Sequence, residues 1–572
     1  MIIHGVFHLT FKKQKNKQMK KIILAALFLF CAISIYSQNN WQVYPYTPQH
    51  SVLSFPTDDG EHTSSTTTTE WWYMNLHMFG AAPNYKQYDV MLCYFIKPAT
   101  MRIFNMACPG SGVFYSDVNQ LPLSFTATTG HWGLNYSTVT SSFGIIDDSS
   151  SWRYPSDNKT FDYKFYAVDP DNNDQLNITV TSNRAPLVVG GNGFIPIGTA
   201  GDSSYYYSIT NLKIGGTLVF GGVKDSITSG IAWIDRQYGP FTVGTNTNNL
   251  YEWFSIQADT PGITWGNPQT PSEYNIWQIF TDSNSIPYNL ASRLVSSILP
   301  DGTQDTVTHF IFERTGYWHD VEDNKYYSQG WRLINPLKGE NLDMSATIQN
   351  QIINVTLFKF WEGGTTVKGT VENKPMDGVG FAELVAGHNT NIITPSVPSG
   401  LSITPGSNNY LLKWHSSTAG TYPLGGYRVF KSLTNDGHWM YLATVTDTSY
   451  IDYTASADTG YFYTITSFDN QTATSASTYA TAVWADPLTT GINSYTSASL
   501  QVYPNPAHDR LFVKEQDCKN GIVEIKDATG KLLLTQKLNN DESIDISYLA
   551  SGVYIVKVIT DKEVYNKKII KE

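Results

Sequence analysis

From Trp41 to about Gly387 the chain is written in short runs of aromatic and β-branched residues, each cut off by Gly, Asn or Pro before a helical period can develop. Glu70–Met78, Tyr88–Phe95, Tyr205–Leu212, Thr217–Phe220, Tyr251–Gln257 and Ile276–Phe280 are the clearest. Such spacing specifies many strands and predicts barrels or sandwiches. No compact repeat of roughly 33 to 50 residues is visible, and the region is about the right size for two barrels in series. Aromatics at 14% and charged residues at 15% are the balance of an ordered, turn-rich β protein rather than a disordered chain. A chain of 572 residues is too long for one core; at about 100 to 200 residues per domain it predicts three to five.

Residues 1–37 read as a signal peptide starting at Met19: Lys20 and Lys21 form a basic head, an apolar run follows, and small residues precede Gln38. Cys31 lies inside that run without the small residue before it that a lipid-anchor cleavage site wants. Removing this segment deletes six lysines and no acids, which takes the net charge from −11 to −17. An acidic surface of this kind argues against nucleic acid and anionic membrane as partners. No membrane-spanning segment is expected once the signal is removed. Of the remaining cysteines, Cys93 and Cys108 are close enough in sequence to bridge in an oxidising compartment, and Cys518 is left over.

The stretch Gly230–Gly239, GIAWIDRQYG, places one carboxylate inside an aromatic, apolar strand. Alternation sets Ile231, Trp233 and Asp235 on one face and Ala232 and Ile234 on the other. If the first face lines a cavity, Asp235 is a carboxyl beside an indole, its ionised form is disfavoured, and it becomes a proton donor near neutral pH. The alternative is an aspartate at the strand end that opens a turn over Arg236–Gly239 and pairs with Arg236.

Glu70 and Trp72 share a strand face, and Glu70 either orients a ligand or makes a buried structural pair. Glu252 alternates away from Trp253 and is read as solvated or paired. His77, His309 and His319 lack metal-ligand spacing, and neither C-x-x-C nor H-E-x-x-H occurs, so no metal site and no cofactor is predicted. The absence of a G-x-S-x-G elbow, a P-loop and a dinucleotide fingerprint leaves hydrolase, NTPase and Rossmann readings unsupported.

Glu70-Trp-Trp-Tyr73, Gly230–Gly239, Tyr251-Glu-Trp-Phe-Ser-Ile-Gln257, Gly330-Trp331 and the run from Phe360-Trp-Glu-Gly-Gly364 through Gly369 to Gly380-Phe-Ala-Glu-Leu384 together resemble the AttH and carotenoid hydratase family of lipocalin-like double domains. The resemblance implies two lipocalin-like β-barrels, over residues 41–245 and 246–390, with an apolar ligand cavity. It also implies that Asp235 matches the aspartate the hydratase branch uses as its acid. Trp233 stands where that branch has Tyr, Tyr205–Ser208 stands nearest to its His and Trp, and Arg236 replaces the His that follows the aspartate in many relatives. The expected ligand-binding residues are Trp233, Tyr205, Tyr207, Trp253, Trp72 and Glu70, with Asp235 catalytic.

After the Pro395–Pro398 linker, Trp414, Gly426–Phe430 and Tyr461–Phe468 resemble a fibronectin type III domain over residues 396–486, with Trp414 in the core and Tyr461 as the tyrosine-corner residue. A second linker, Asp486–Ser497, leads to Val502-Tyr-Pro-Asn-Pro506, Ile522–Lys531 and Leu549–Val556. These resemble the type A sorting domain of the type IX secretion system, over residues 499–572. The fold class expected is therefore all-β: two barrels followed by two small β-sandwich domains, each burying its own apolar face. The resemblance implies a Bacteroidetes source and secretion or surface display by the type IX machinery, acting through residues 499–572.

Two functions follow. One is a lipocalin-like protein that holds a hydrophobic, lipid or isoprenoid-like small molecule in a β-barrel cavity. The alternative is a hydratase, lyase or isomerase of an apolar alkene in which Asp235 protonates the double bond while Trp233 and nearby tyrosines stabilise the cation.

Overall fold

The structure is a computed structural model that describes residues 41–488 and 501–572, apart from 42–43, 83–85, 141–143, 153–160, 183, 198–201, 243–249, 263–270, 281–289, 357, 386, 515–520, 529, 539–542 and 560–563. The expected signal peptide, Cys31, Cys518 and most of the second linker lie outside the described residues. Regular helix among the described residues is confined to short 3-10 turns. The all-β expectation holds.

Thirteen strands build the first sheet: β1 (Thr69–Gly80), β2 (Gln87–Lys97), β3 (Met101–Cys108), β4 (Val113–Asn119), β5 (Ser124–Ala127), β6 (Gly133–Thr140), β7 (Gly144–Trp152), β8 (Asp162–Asp169), β9 (Asp174–Ser182), β10 (Leu187–Val188), β11 (Phe194–Pro196), β12 (Ser203–Phe220) and β13 (Val223–Gly239). Their order is β4-β3-β2-β1-β13-β12-β9-β8-β7-β6-β5, with β10 and β11 also paired to β12. The second sheet comprises β14 (Leu250–Asp259), β15 (Ser272–Phe280), β16 (Leu290–Ile298), β17 (Gln304–Val307), β18 (Ile311–Asp320), β19 (Lys325–Asn335), β20 (Glu340–Ala346), β21 (Ile352–Val355), β22 (Phe358–Val371) and β23 (Lys374–Leu384). It runs β17-β16-β15-β14-β23-β22-β20-β19-β18, with β21 on β22. In each sheet the first strand pairs antiparallel with the last, β1 with β13 and β14 with β23.

Each sheet curls around its own core. Trp72, Met74, Leu76 and Met78 enter the first core with Tyr207, Ala232 and Ile234; Phe254, Ile256, Trp331 and Trp361 enter the second. A third apolar cluster combines residues of both sheets, among them Trp71, Tyr73, Tyr206 and Trp233 from the first and Tyr251, Trp253, Trp277 and Phe381 from the second. The outer faces of the two curled sheets therefore pack on one another. This explains why β1, β14 and β15 are buried along almost their whole length, their polar residues included: a strand covered on both faces has no solvent side on which to place them. Cys93 belongs to the intersheet cluster and Cys108 to the first core, so the two expected bridge partners lie on opposite faces of the sheet, and both thiols are free.

The described chain divides into two compact units. The first comprises Met1–Thr404, Leu411–Asp452 and Tyr461–Trp484. Within it, strands from the sandwich region lie directly against the second curled sheet. Arg428 Nε donates to Glu313 Oε1 at 2.6 Å, Tyr479 OH to Asp343 Oδ2 at 2.6 Å, and Ile334 shares an apolar cluster with Phe430 and Trp439. The expectation that each core buries its own face fails here. Trp414 is buried as expected, but the buried hydroxyl bond comes from Tyr463, to Asp452 Oδ2 at 2.8 Å, while Tyr461 packs its ring under Lys431. The second unit comprises Pro405–Tyr410, Tyr453–Gly460 and Ala485–Glu572. It contains a three-stranded and a four-stranded sheet around Leu511, Val523, Ile525, Val556 and Ile569.

Candidate functional site

Asp235 lies inside β13, four residues before its end, and does not open a turn. Its register partners are Tyr73 on β1 and Ser208 on β12, and Tyr73 in turn faces Cys93 on β2. Directly opposed residues share a sheet face, so one row, Cys93–Tyr73–Asp235–Ser208, crosses the outer face of the first sheet. The opposing row on the second sheet is Trp277–Trp253–Glu383–Glu362. Two rows of aromatic rings and carboxyls thus meet in the layer between the sheets.

Asp235 is 3% exposed. Its Oδ1 accepts from Ser208 Oγ at 2.5 Å and Trp233 Nε1 at 2.7 Å, and its Oδ2 accepts from Tyr206 OH at 2.6 Å. All three donors are neutral. Burial pushes the carboxyl up to about 7, and the three hydrogen bonds offset only part of that rise. Asn275, from the second sheet, donates to Tyr206 OH at 2.8 Å and Ser208 Oγ at 3.2 Å, tying the donors of Asp235 to the opposite wall. The Oδ1 of Asn275 and the Nε1 of Trp277 are buried without a hydrogen-bond partner.

On that wall Tyr251 OH donates to Glu383 Oε1 at 2.5 Å, and Tyr73 OH reaches across from the first sheet to Glu362 Oε1 at 2.6 Å. Burial and the neighbouring Glu383 hold Glu362 well above the usual carboxylate range; desolvation raises Glu383 to about 7, with Asp235 adding to the rise. Glu362 is buried, whereas Glu383 keeps partial contact with solvent. Burial and these carboxyls push the Cys93 thiol well up, so it is no ready nucleophile.

The expected residues divide between the two faces. Asp235, Trp233 and Trp253 share the intersheet layer. Trp72 points into the first core, where its Nε1 donates to Asp59 O at 2.9 Å. Glu70 lies on that same side and pairs with Arg236 Nη2, whose guanidinium stacks 3.9 Å from the Trp72 ring centroid. Burial alone would raise Glu70, but Arg236 and His62 bring it down to about 2. Glu70 is thus a structural partner, and Arg236 is paired away from Asp235. Tyr207 is likewise inside, bonded to Asp59, and Tyr205 stacks on Tyr238 at 4.9 Å. Tyr206, between them, is the tyrosine on Asp235. Glu252 is buried against Arg314 rather than solvated.

Glu362, Glu383, Asn275 and Tyr73 escaped the sequence reading. The criterion that singled out Asp235, an acid inside an apolar strand, applies equally to Glu362 in FKFWEGG and Glu383 in GFAEL.

The AttH-like family model matches residues 46–388, and the model of the secretion system C-terminal sorting domain matches residues 501–572. Kievitone hydratase of Fusarium solani subsp. phaseoli is 25% identical over 228 residues, which are 38% of this chain and 58% of that protein. The chain therefore spans somewhat over half the length of that relative. Among solved structures, an AttH-type protein of Nitrosomonas europaea aligns over 60% of this chain and 100% of its own, at 19% identity and a TM-score of 0.47. Kievitone hydratase from Nectria haematococca aligns over 60% and 99%, at 17% identity and a TM-score of 0.44. With its family model covering both curled sheets and a type IX sorting domain beyond them, the chain belongs to the AttH-like family.

Proposed function

We propose that the layer between the two curled sheets is a hydratase-type acid site, in which Asp235 protonates a carbon–carbon double bond of an apolar substrate. The observation that carries this reading is a fully desolvated carboxyl held by neutral donors alone: at about 7 it keeps a transferable proton near neutral pH. The cation left on the substrate has indole and phenol faces around it, from Trp233, Trp253, Trp277 and Tyr206. Trp277 Nε1 and Asn275 Oδ1 are free to bind a polar group of the substrate. Membership of a family with a hydratase relative supports the same chemistry. The sequence suggested a ligand inside a barrel; both curled cores are filled by their own side chains, so we take the intersheet layer as the site. Export by the type IX system directs the activity to substrates outside the cell.

The test is incubation of the full chain with kievitone and with lycopene in H2(18)O, read by mass spectrometry. One labelled water should be gained by a probe, and Asp235→Asn should lower the rate by about 100-fold to 10,000-fold. The replacement of the branch's His and Trp by tyrosines and serine favours a second reading, a carrier using the same layer. Probe binding that survives Asp235→Asn, with no turnover by the native chain, would support the carrier.

A further inference from the structure

The Asp235 site accounts for one proton of a hydration and leaves the other unassigned. Adding water across a double bond needs a donor for the carbon and an acceptor for the proton that the attacking water sheds. Glu362 and Glu383 face each other on adjacent strands, β22 and β23, so their Cβ atoms are about 5 Å apart. Each carboxyl is held by one tyrosine, Glu362 by Tyr73 and Glu383 by Tyr251. Tyr73 is also the register partner of Asp235, so a single side chain joins the acid's row to the glutamate pair. Trp277, whose buried Nε1 has no partner, lies on the same row and stacks on Tyr251 at 4.7 Å. That unsatisfied donor, on the indole stacked against the tyrosine that holds Glu383, indicates that a polar atom binds in this layer.

We infer that Glu362 and Glu383 act together as the general base of the site, taking the proton of the attacking water on the wall opposite Asp235. This deepens the hydratase reading and rests on it. The Asp235 O–H proton goes to one alkene carbon and the π pair forms the new C–H bond. A water lone pair forms the C–O bond at the other carbon, and the water's proton passes to the glutamates. The glutamates release that proton and Asp235 regains one, so the net change is one water added, with no redox step. Like charges this close cannot both be ionised in a desolvated setting, so the pair holds one shared proton and retains one basic site. The partial exposure of Glu383 gives it contact with solvent for proton exchange.

Two measurements on the full chain test this. In Asp235→Asn labelled with 13C-glutamate, infrared spectroscopy at neutral pH should show a protonated glutamic C=O band that shifts in the further variant Glu383→Gln, as the remaining Glu362 loses its carboxyl neighbour. Absence of the band at the outset, or a band unmoved by the second substitution, would overturn the shared proton and the inference. For the probe that the native chain hydrates, Glu383→Gln and Glu362→Gln should each lower hydration about 100-fold or more, with near-UV circular dichroism unchanged. Deuterium exchange from D2O into the recovered alkene should persist, because Asp235 still protonates it. Hydration within a few-fold of native in both folded variants overturns the base role and leaves the Asp235 reading standing. A native chain that neither hydrates nor exchanges any probe sinks the hydratase reading and the base role together.

Discussion

Asp235 and Arg236 are neighbours in sequence with opposite surroundings. Asp235 looks into the intersheet layer and meets neutral donors; Arg236 looks into the first core and meets Glu70 and Trp72. The consequence for stability can be signed. The Asp235 carboxyl titrates near 3.8 when unfolded and near 7 when folded, so between about pH 4 and pH 7 the folded chain holds a proton that the unfolded chain has released. Its contribution is present below that window and is lost as pH rises through it. Asp235→Asn removes this term and should stabilise the chain at pH 8, by roughly 4 kcal/mol at most for a three-unit shift, as read from urea unfolding at pH 4 and pH 8. Asp235 was legible because an acid breaks the pattern of its strand. Tyr206 was not, because the β12–β13 pairing carries register shifts between Ile209 and Leu212 and between Lys213 and Gly216, so counting back from Asp235 does not give the facing tyrosine.

At the scale of elements, the contact between the sheets depends on a close approach of β22 to β2. An added Cβ on Gly364 would sit 2.2 Å from Asp89 Oδ2. Asp89 cannot easily give way, because it is held by His77 Nδ1 at 2.8 Å and Thr347 Oγ1 at 3.0 Å. Gly364→Ala should therefore cost about 1–3 kcal/mol by overpacking, measured as a lowered denaturant midpoint, and should reduce activity by displacing Glu362 two residues away. The strands themselves were legible, since β-branched and aromatic runs bounded by turn residues leave little alternative. Their pairing was not: β14 meets β23 across more than a hundred residues, and no local signal reports that Trp253 will stand beside Glu383.

For the whole molecule, the Pro395–Pro398 linker marked a boundary in composition but did not reveal the bonds across it. Arg428 and Arg332 both donate to Glu313, and all three are almost completely buried. Arg428→Ala should destabilise the first unit by about 3 kcal/mol, since Glu313 keeps one of its two partners; thermal unfolding of the full chain checks this. Truncation at residue 395 should be worse, exposing Ile334 and leaving Asp343 without Tyr479. The sorting domain is a different case, with its own core in the second unit. Deleting residues 499–572 should leave near-UV circular dichroism and unfolding of the remainder unchanged while the protein accumulates in the periplasm; its recovery outside the cell would refute the sorting role.

The acid and its indole donor come from β13, its two hydroxyl donors from β12, the bridging tyrosine from β1 and the glutamate pair from β22 and β23. None of these strands is complete in function without a partner from the other half of the chain. A polypeptide with only its first sheet assembled holds Asp235 on a bare sheet face, hydrated and ionised like any surface aspartate. On the proposed reading, folding and switching-on are then one event: the acid acquires its proton near neutral pH only after the last strand of the second sheet has docked.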